Sequence, residues 1–148
     1  MLDSIIGRIV VKNLLILFVS CALVSGCAGG PVATSHADNV PSSRILTNKW
    51  LSPKAGSGRL IVKRDSGVVR AVCHIRVYVD DTAVADLGPS EKVELFLPAG
   101  DHVVKGETRG ICGGGESEIK MAISSKERRV VRIVSGESEG IELRATFF

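Results

Sequence analysis

Four cysteines and three histidines are the residues of this chain whose types suit nucleophilic, acid–base or metal chemistry. Cys73, His74, His102 and Cys112 would supply the donor atoms of a zinc site. Adjacent residues of a strand point to opposite faces, so Cys73 and His74 converge poorly on one ion and no metal is assigned. His102 follows Gly100 and Asp101 at a turn, where its ring is expected to bond turn backbone. A general base would need a nucleophile or substrate within hydrogen-bond reach. His74 is expected on a wet face, and His36 lies in a polar N-terminal stretch. No G-x-S-x-G elbow, H-E-x-x-H helix or spaced acidic pair accompanies them, so no catalytic residue and no cofactor is assigned. The run Gly110-Ile111-Cys112-Gly113-Gly114-Gly115 has the glycines of a phosphate cradle without its Lys or following helix, and is expected to give the backbone freedom near a cysteine. Arg128, Arg129, Arg132 and Arg144 are the candidate contacts for anionic sugars or lipid headgroups. Cross-strand pairing with Glu127, Glu139 and Glu142 is the structural alternative.

The elements that hold these residues follow from composition. The 148 residues, 45% hydrophobic and 4% aromatic, suit one modest domain. Nineteen Lys and Arg against sixteen Asp and Glu leave a net charge of +3. That falls short of the clustered positive face nucleic-acid binding requires, so no nucleic-acid partner is expected. Residues 14–24 read Leu-Leu-Ile-Leu-Phe-Val-Ser-Cys-Ala-Leu-Val, without a charge and preceded by Arg8 and Lys12, as in a signal peptide. The uninterrupted run is about half of the roughly 20 residues a membrane span needs. Ser25, Gly26, Gly29, Gly30 and Pro31 then break it, so a cleaved signal over residues 1–26 is expected.

At its end, Val24-Ser25-Gly26-Cys27 resembles the lipobox of bacterial lipoproteins: an aliphatic residue, two small residues, then Cys. The resemblance implies that the Cys27 thiol is diacylglycerated, the signal cut before it and the new N-terminus acylated. Its partner would be the lipid bilayer, and three acyl chains exceed the two signals needed for stable anchoring. Ala28 stands where inner-membrane retention signals carry Asp, which by the same resemblance implies the outer membrane. Cys21 would then leave with the signal and Cys27 carry lipid, so Cys73 and Cys112 remain as a pair in an oxidising compartment and are expected to form a disulfide. Closing a loop of about 40 residues would contribute about 4 kcal/mol in the chain-entropy account.

Residues 27–58 carry Gly, Pro, Ser, Thr, Ala and Asn without a sustained period and read as a lipidated tether, although Ile45, Leu46, Trp50 and Leu51 are apolar enough to dock. Trp50 is expected as a packing residue. From residue 59 to 148 the pattern is strand-like: Cys73, Ile75, Val77 and Val79 alternate with polar residues, as do Val93, Leu95 and Leu97, then Ile119, Met121 and Ile123. Residues 128–134 and Ile141, Leu143, Ala145 and Phe147 supply the last strands, with Phe147 on the core parity and Phe148 off it. Seven to eight short strands with frequent turn signals predict an all-β antiparallel sandwich. Val77-Tyr78-Val79-Asp80-Asp81, followed by Leu97-Pro98-Ala99-Gly100-Asp101-His102-Val103-Val104, resembles the PEGA-type β module and related small envelope β-domains, with Asp81 in place of the usual Gly. The two resemblances imply an envelope lipoprotein whose non-catalytic β-sandwich serves envelope structure or interaction with another envelope protein. The alternative is a module binding glycan or another anionic envelope ligand through the arginine strand and the glycine loop.

Overall fold

The computed structural model describes residues 30–67, 72–111, 115–135 and 140–147. Among the described residues nine strands form two sheets: β1 (Asp38–Asn39), β2 (Ser57–Arg64), β3 (Ile75–Val79), β4 (Thr82–Leu87), β5 (Glu91–Pro98), β6 (Gly100–Thr108), β7 (Glu116–Ile123), β8 (Arg128–Ser135) and β9 (Ile141–Thr146). The first sheet has the order β1-β5-β2-β8-β9 and the second β4-β3-β6-β7. The protein is thus a small all-β sandwich. Two pairings depart from the antiparallel expectation: β1 runs parallel to β5, and β2 runs parallel to β8.

Alternation builds the core. Ile75, Val77 and Val79 of β3, Val93, Leu95 and Leu97 of β5, and Leu60 and Val62 of β2 all face inward and are buried. Strand β2 breaks the pattern, being buried continuously from Leu60 to Arg64. A central strand covered on both faces reads this way. Inside, Arg64 at the end of β2 donates from Nη1 to the carbonyls of Cys73 (2.5 Å) and Leu87 (3.2 Å), tying the first sheet to the second. Close approach of the sheets is allowed at Gly106, where a Cβ would meet Leu143 Cδ1 at 3.0 Å. The β7–β8 turn lies over Gly58, where a Cβ would run into the Ser124 carbonyl oxygen.

The largest departure from the sequence reading is the N-terminal segment. Residues 30–58, expected as a flexible tether, are fixed along one side of the sandwich. Asp38 donates its N–H to the Ser90 carbonyl (2.9 Å), Leu46 to Val84 (2.9 Å), and Phe96 donates to the Trp50 carbonyl (2.7 Å). A bridge between Ile45 and Ala85 adds to these contacts. The segment thereby satisfies the free edges of both β5 and β4, which would otherwise invite pairing with another chain. Val40 and Trp50 enter the core cluster, with Ile45 and Leu51 packed against it. Dispersed apolar residues without a period dock here one at a time, which no periodicity reveals. At the other terminus Phe147 is 95% exposed and not in the core: burial on its parity ends at Leu143, and Ala145 is already exposed within β9.

Candidate functional site

The strand directions give the sandwich two distinct ends. Strand β2 runs from Ser57, opposite Pro98 at the end of β5, to Lys63, opposite Lys92 at its start. The 57 end also gathers the Asp80-Asp81 turn, the β5–β6 turn and the β7–β8 turn. The 64 end gathers Cys73, the β4–β5 turn and the loop after β6.

Cys73 is disulfide-bonded and buried. Its expected partner Cys112, and Gly113 and Gly114 of the glycine loop, lie outside the described residues, as do Cys27 and the whole of residues 1–26. Arg109 donates its N–H to the His74 carbonyl (2.9 Å), holding the start of that loop beside Cys73. His74 itself is exposed. His102 lies at the opposite end, so the four residues of the hypothetical zinc set do not converge. Among the described residues no three His, Cys, Asp or Glu side chains gather as a metal-binding group.

His102 is buried, with Nδ1 2.7 Å from Asp80 Oδ2 and Nε2 2.9 Å from the Pro98 carbonyl. The ring lies between two acceptors. Asp80 adopts φ +46 and Asp81 φ +61, a left-handed pair that short acidic side chains tolerate. Burial acts to raise the Asp80 carboxyl, but the Val103 N–H (3.0 Å to Oδ1) and His102 outweigh it and hold it below its usual value. The ring thus clamps the β3–β4 turn to the β5–β6 turn. The Pro98 carbonyl is the turn-backbone partner the sequence predicts; Asp80, on a different turn, carries no local signal.

The four candidate arginines do not form one cluster. Arg132 makes a two-toothed ion pair with Asp65, both side chains largely enclosed. Arg129 Nε lies 2.8 Å from Glu127 Oε1, an ion-pair contact without hydrogen-bond geometry. Arg144 bonds Glu142 (2.6 Å) on the exposed edge strand, and Arg128 is exposed on β8. Register places Lys92, Lys63, Arg132 and Arg144 directly opposite one another across four strands. Like charges so placed repel. The N-terminal segment relieves the repulsion: Lys63 Nζ donates to the Val32 carbonyl (2.5 Å), Lys92 Nζ to Thr34 (2.8 Å), and the Val32 N–H donates to Asp65 Oδ1 (3.2 Å). Burial pushes the Lys63 ammonium below its usual value, the neighbouring cations add to that, and Asp65 opposes it.

A concavity of about 280 Å³ at the 57 end was not anticipated. Trp50, Phe96 and Pro98 form its apolar wall, and Lys49, Lys54 and Gly56 flank it. Lys49 Nζ stands 4.2 Å from the Trp50 ring centre and the Arg59 guanidinium 5.9 Å from that of Phe96. The available sequence signal was the Lys49-Trp50 pair and the nearby Lys54-Ala55-Gly56 turn, whose approach to Phe96 depends on docking of the segment.

Among the described residues no helix is long and apolar enough to cross a membrane. Fold and site together define a disulfide-bonded β-sandwich with a docked N-terminal segment. No family model matches the chain, and no curated protein matches it. It is similar to a solved structure described as the NMR structure of the protein from Eubacterium rectale, with a TM-score of 0.44 and 15% identity over 63% of this chain and 91% of that one.

Proposed function

We propose that this protein is a bacterial envelope lipoprotein, anchored by acylated Cys27, whose β-sandwich acts without catalysis in envelope structure or protein interaction. The observation that carries the reading is the Val24-Ser25-Gly26-Cys27 motif directly after a basic and apolar leader. A disulfide at Cys73, which suits an oxidising compartment, supports it. The outer membrane is favoured by Ala28 after the acylated position. The test is intact mass of the protein recovered from bacterial membranes, with and without reductant and alkylation. A chain beginning at Cys27 with acyl chains, and thiols reactive only after reduction, is expected. A full-length unmodified mass, or palmitate-analogue labelling that persists in Cys27→Ser, overturns the reading.

A second reading is favoured by the Trp50 concavity: a module for an anionic sugar, its ring against Phe96 and its acidic group near Lys49 and Lys54. Soluble anionic peptidoglycan fragments would then bind the wild type and lose affinity in Lys49→Glu/Lys54→Glu. Equal binding by both proteins, or none by either, removes it.

A further inference from the structure

We propose that the 64 end of the sandwich is a bilayer-contact surface, seated on the lipid that holds the anchor, with the Trp50 concavity held at the opposite end. The proposal rests on the lipoprotein reading of Cys27 and adds to it an orientation. Gly30, three residues after Cys27, is already fixed to the domain: its N–H donates to Ser66 Oγ (3.2 Å), and that hydroxyl donates to the Gly30 carbonyl (3.1 Å). Three residue steps reach at most about 11 Å. Had residues 27–58 been free, the reach would be about 100 Å by the same spacing. An acylated Cys27 therefore cannot leave the domain standing off the membrane while residues 30–58 stay docked.

Ser66 follows β2, so the short reach selects the 64 end. That end also presents Val72 and Ile111, 80% and 94% exposed, two of the four exposed large apolar side chains among the described residues. Single exposed apolar residues are ordinary on a protein surface. Here two stand at the end to which the acyl chains are tied, where the headgroup boundary would receive them, each buried apolar group adding to the anchor. Across the eight residues of β2, at about 3.3 Å each, the 57 end lies about 25 Å farther out. Trp50 and Phe147 belong to that end, through the Phe96 bond to Trp50 and the Thr146 pairing with Val130 near the start of β8.

The chain has one Trp, which makes the orientation measurable. The protein recovered from bacterial membranes is reconstituted in phosphatidylethanolamine/phosphatidylglycerol vesicles containing brominated phosphatidylcholine, a short-range quencher. Val72→Trp, Ile111→Trp and Phe147→Trp each add one emission to that of Trp50 at a position already exposed. Intact mass of each preparation is read first. With acylated protein, the added emission of Val72→Trp and Ile111→Trp is expected to be quenched several-fold, and that of Phe147→Trp and Trp50 to persist. Acylated protein in which the three added tryptophans are quenched alike, or none is, overturns the orientation and leaves the lipoprotein reading standing. A mass without acyl chains at Cys27 overturns that reading, and the orientation with it.

Discussion

On the outer face of the first sheet, Lys63 is closed in and it and the half-buried Asp65–Arg132 pair are bonded to residues 30–34, whereas on the outer face of the second sheet comparable groups are somewhat more exposed and bond one another. There Arg76 holds Asp86 through Nε and Nη2, both at 2.8 Å, Tyr78 donates its hydroxyl to Glu107 (2.6 Å), and Lys105 stands 4.6 Å from the Tyr78 ring centre. The Arg76 and Asp86 side chains keep 26% and 18% of their exposure, against 17% and 11% for Arg132 and Asp65. Identical residue chemistry thus serves two ends. On the covered face it fastens a segment whose backbone groups need partners; on the open face it forms a solvated lattice across neighbouring strands. What separates them is the cover, not the pair.

The sharpest way to break that comparison is to remove one arginine from each face. Arg132→Met leaves the half-buried Asp65 without its cation, and is expected to cost about 2 kcal/mol, between the values for an exposed and a fully buried pair. It should also loosen residues 30–34, since Asp65 holds the Val32 N–H. Arg76→Met leaves Asp86 where water can reach it, and about 1 kcal/mol is expected, as for a surface pair. Urea unfolding of both variants measures the difference, and hydrogen exchange at Val32 reports the loosening. Equal costs would mean that cover does not set the worth of these pairs.

The strands and their inward residues were legible in sequence because alternation is a local property. Ile75, Val77, Val79, Leu95 and Leu97 needed only the pleat to be placed correctly. The docked segment was not legible for the opposite reason. Trp50 and Ile45 have no period, and their partners Phe96 and Ala85 lie some forty residues further along. A greater distance hid one charge pair: Glu127 and Glu142 are the expected partners and are met by Arg129 and Arg144, yet the partner of Arg132 is Asp65 from the end of β2, 67 residues away, brought alongside by the parallel β2–β8 pairing. Parallel neighbours leave no hairpin signature, so their cross-strand partners are invisible to local reasoning. At His102 the turn was legible from Gly100, but Asp80 became its partner only through the pairing of β3 with β6.

Titration separates the two faces by pH window. Lys63 sits below its usual pKa, chiefly through burial, so between its folded and unfolded values the unfolded chain holds more protons and stability rises with pH. That gain falls in the alkaline range, up to the ordinary lysine value. Asp86 also sits below its usual value, chiefly through its bonds from Arg76, so its contribution is complete above the ordinary carboxylate value and lost as pH falls through the folded one. Both slopes have the same sign, in windows far apart. Unfolding midpoints followed across pH should lose the alkaline rise in Lys63→Met and keep the acid loss, and Asp86→Asn should keep the alkaline rise and lessen the acid loss, which Asp80 and other lowered carboxylates share. An alkaline rise that survives Lys63→Met would show that the covered face is not its source.

The smallest effect tests the comparison inside one sheet. Arg144 stands directly opposite Arg132 in the β8–β9 register, yet its side chain is 57% exposed and bonds Glu142 two residues away on its own strand. If strand position decided the worth of a charge, the two arginines would behave alike. If cover decides it, Arg144 belongs with the second sheet's lattice, where long exposed side chains lose entropy in pairing and salt screens the attraction. Removing it also relieves the like-charge contact with Arg132. Arg144→Ala is therefore expected to leave the urea midpoint unchanged within error at both low and high salt. A destabilisation approaching that of Arg132→Met would move the decisive difference from the covering segment to the β8–β9 pairing itself.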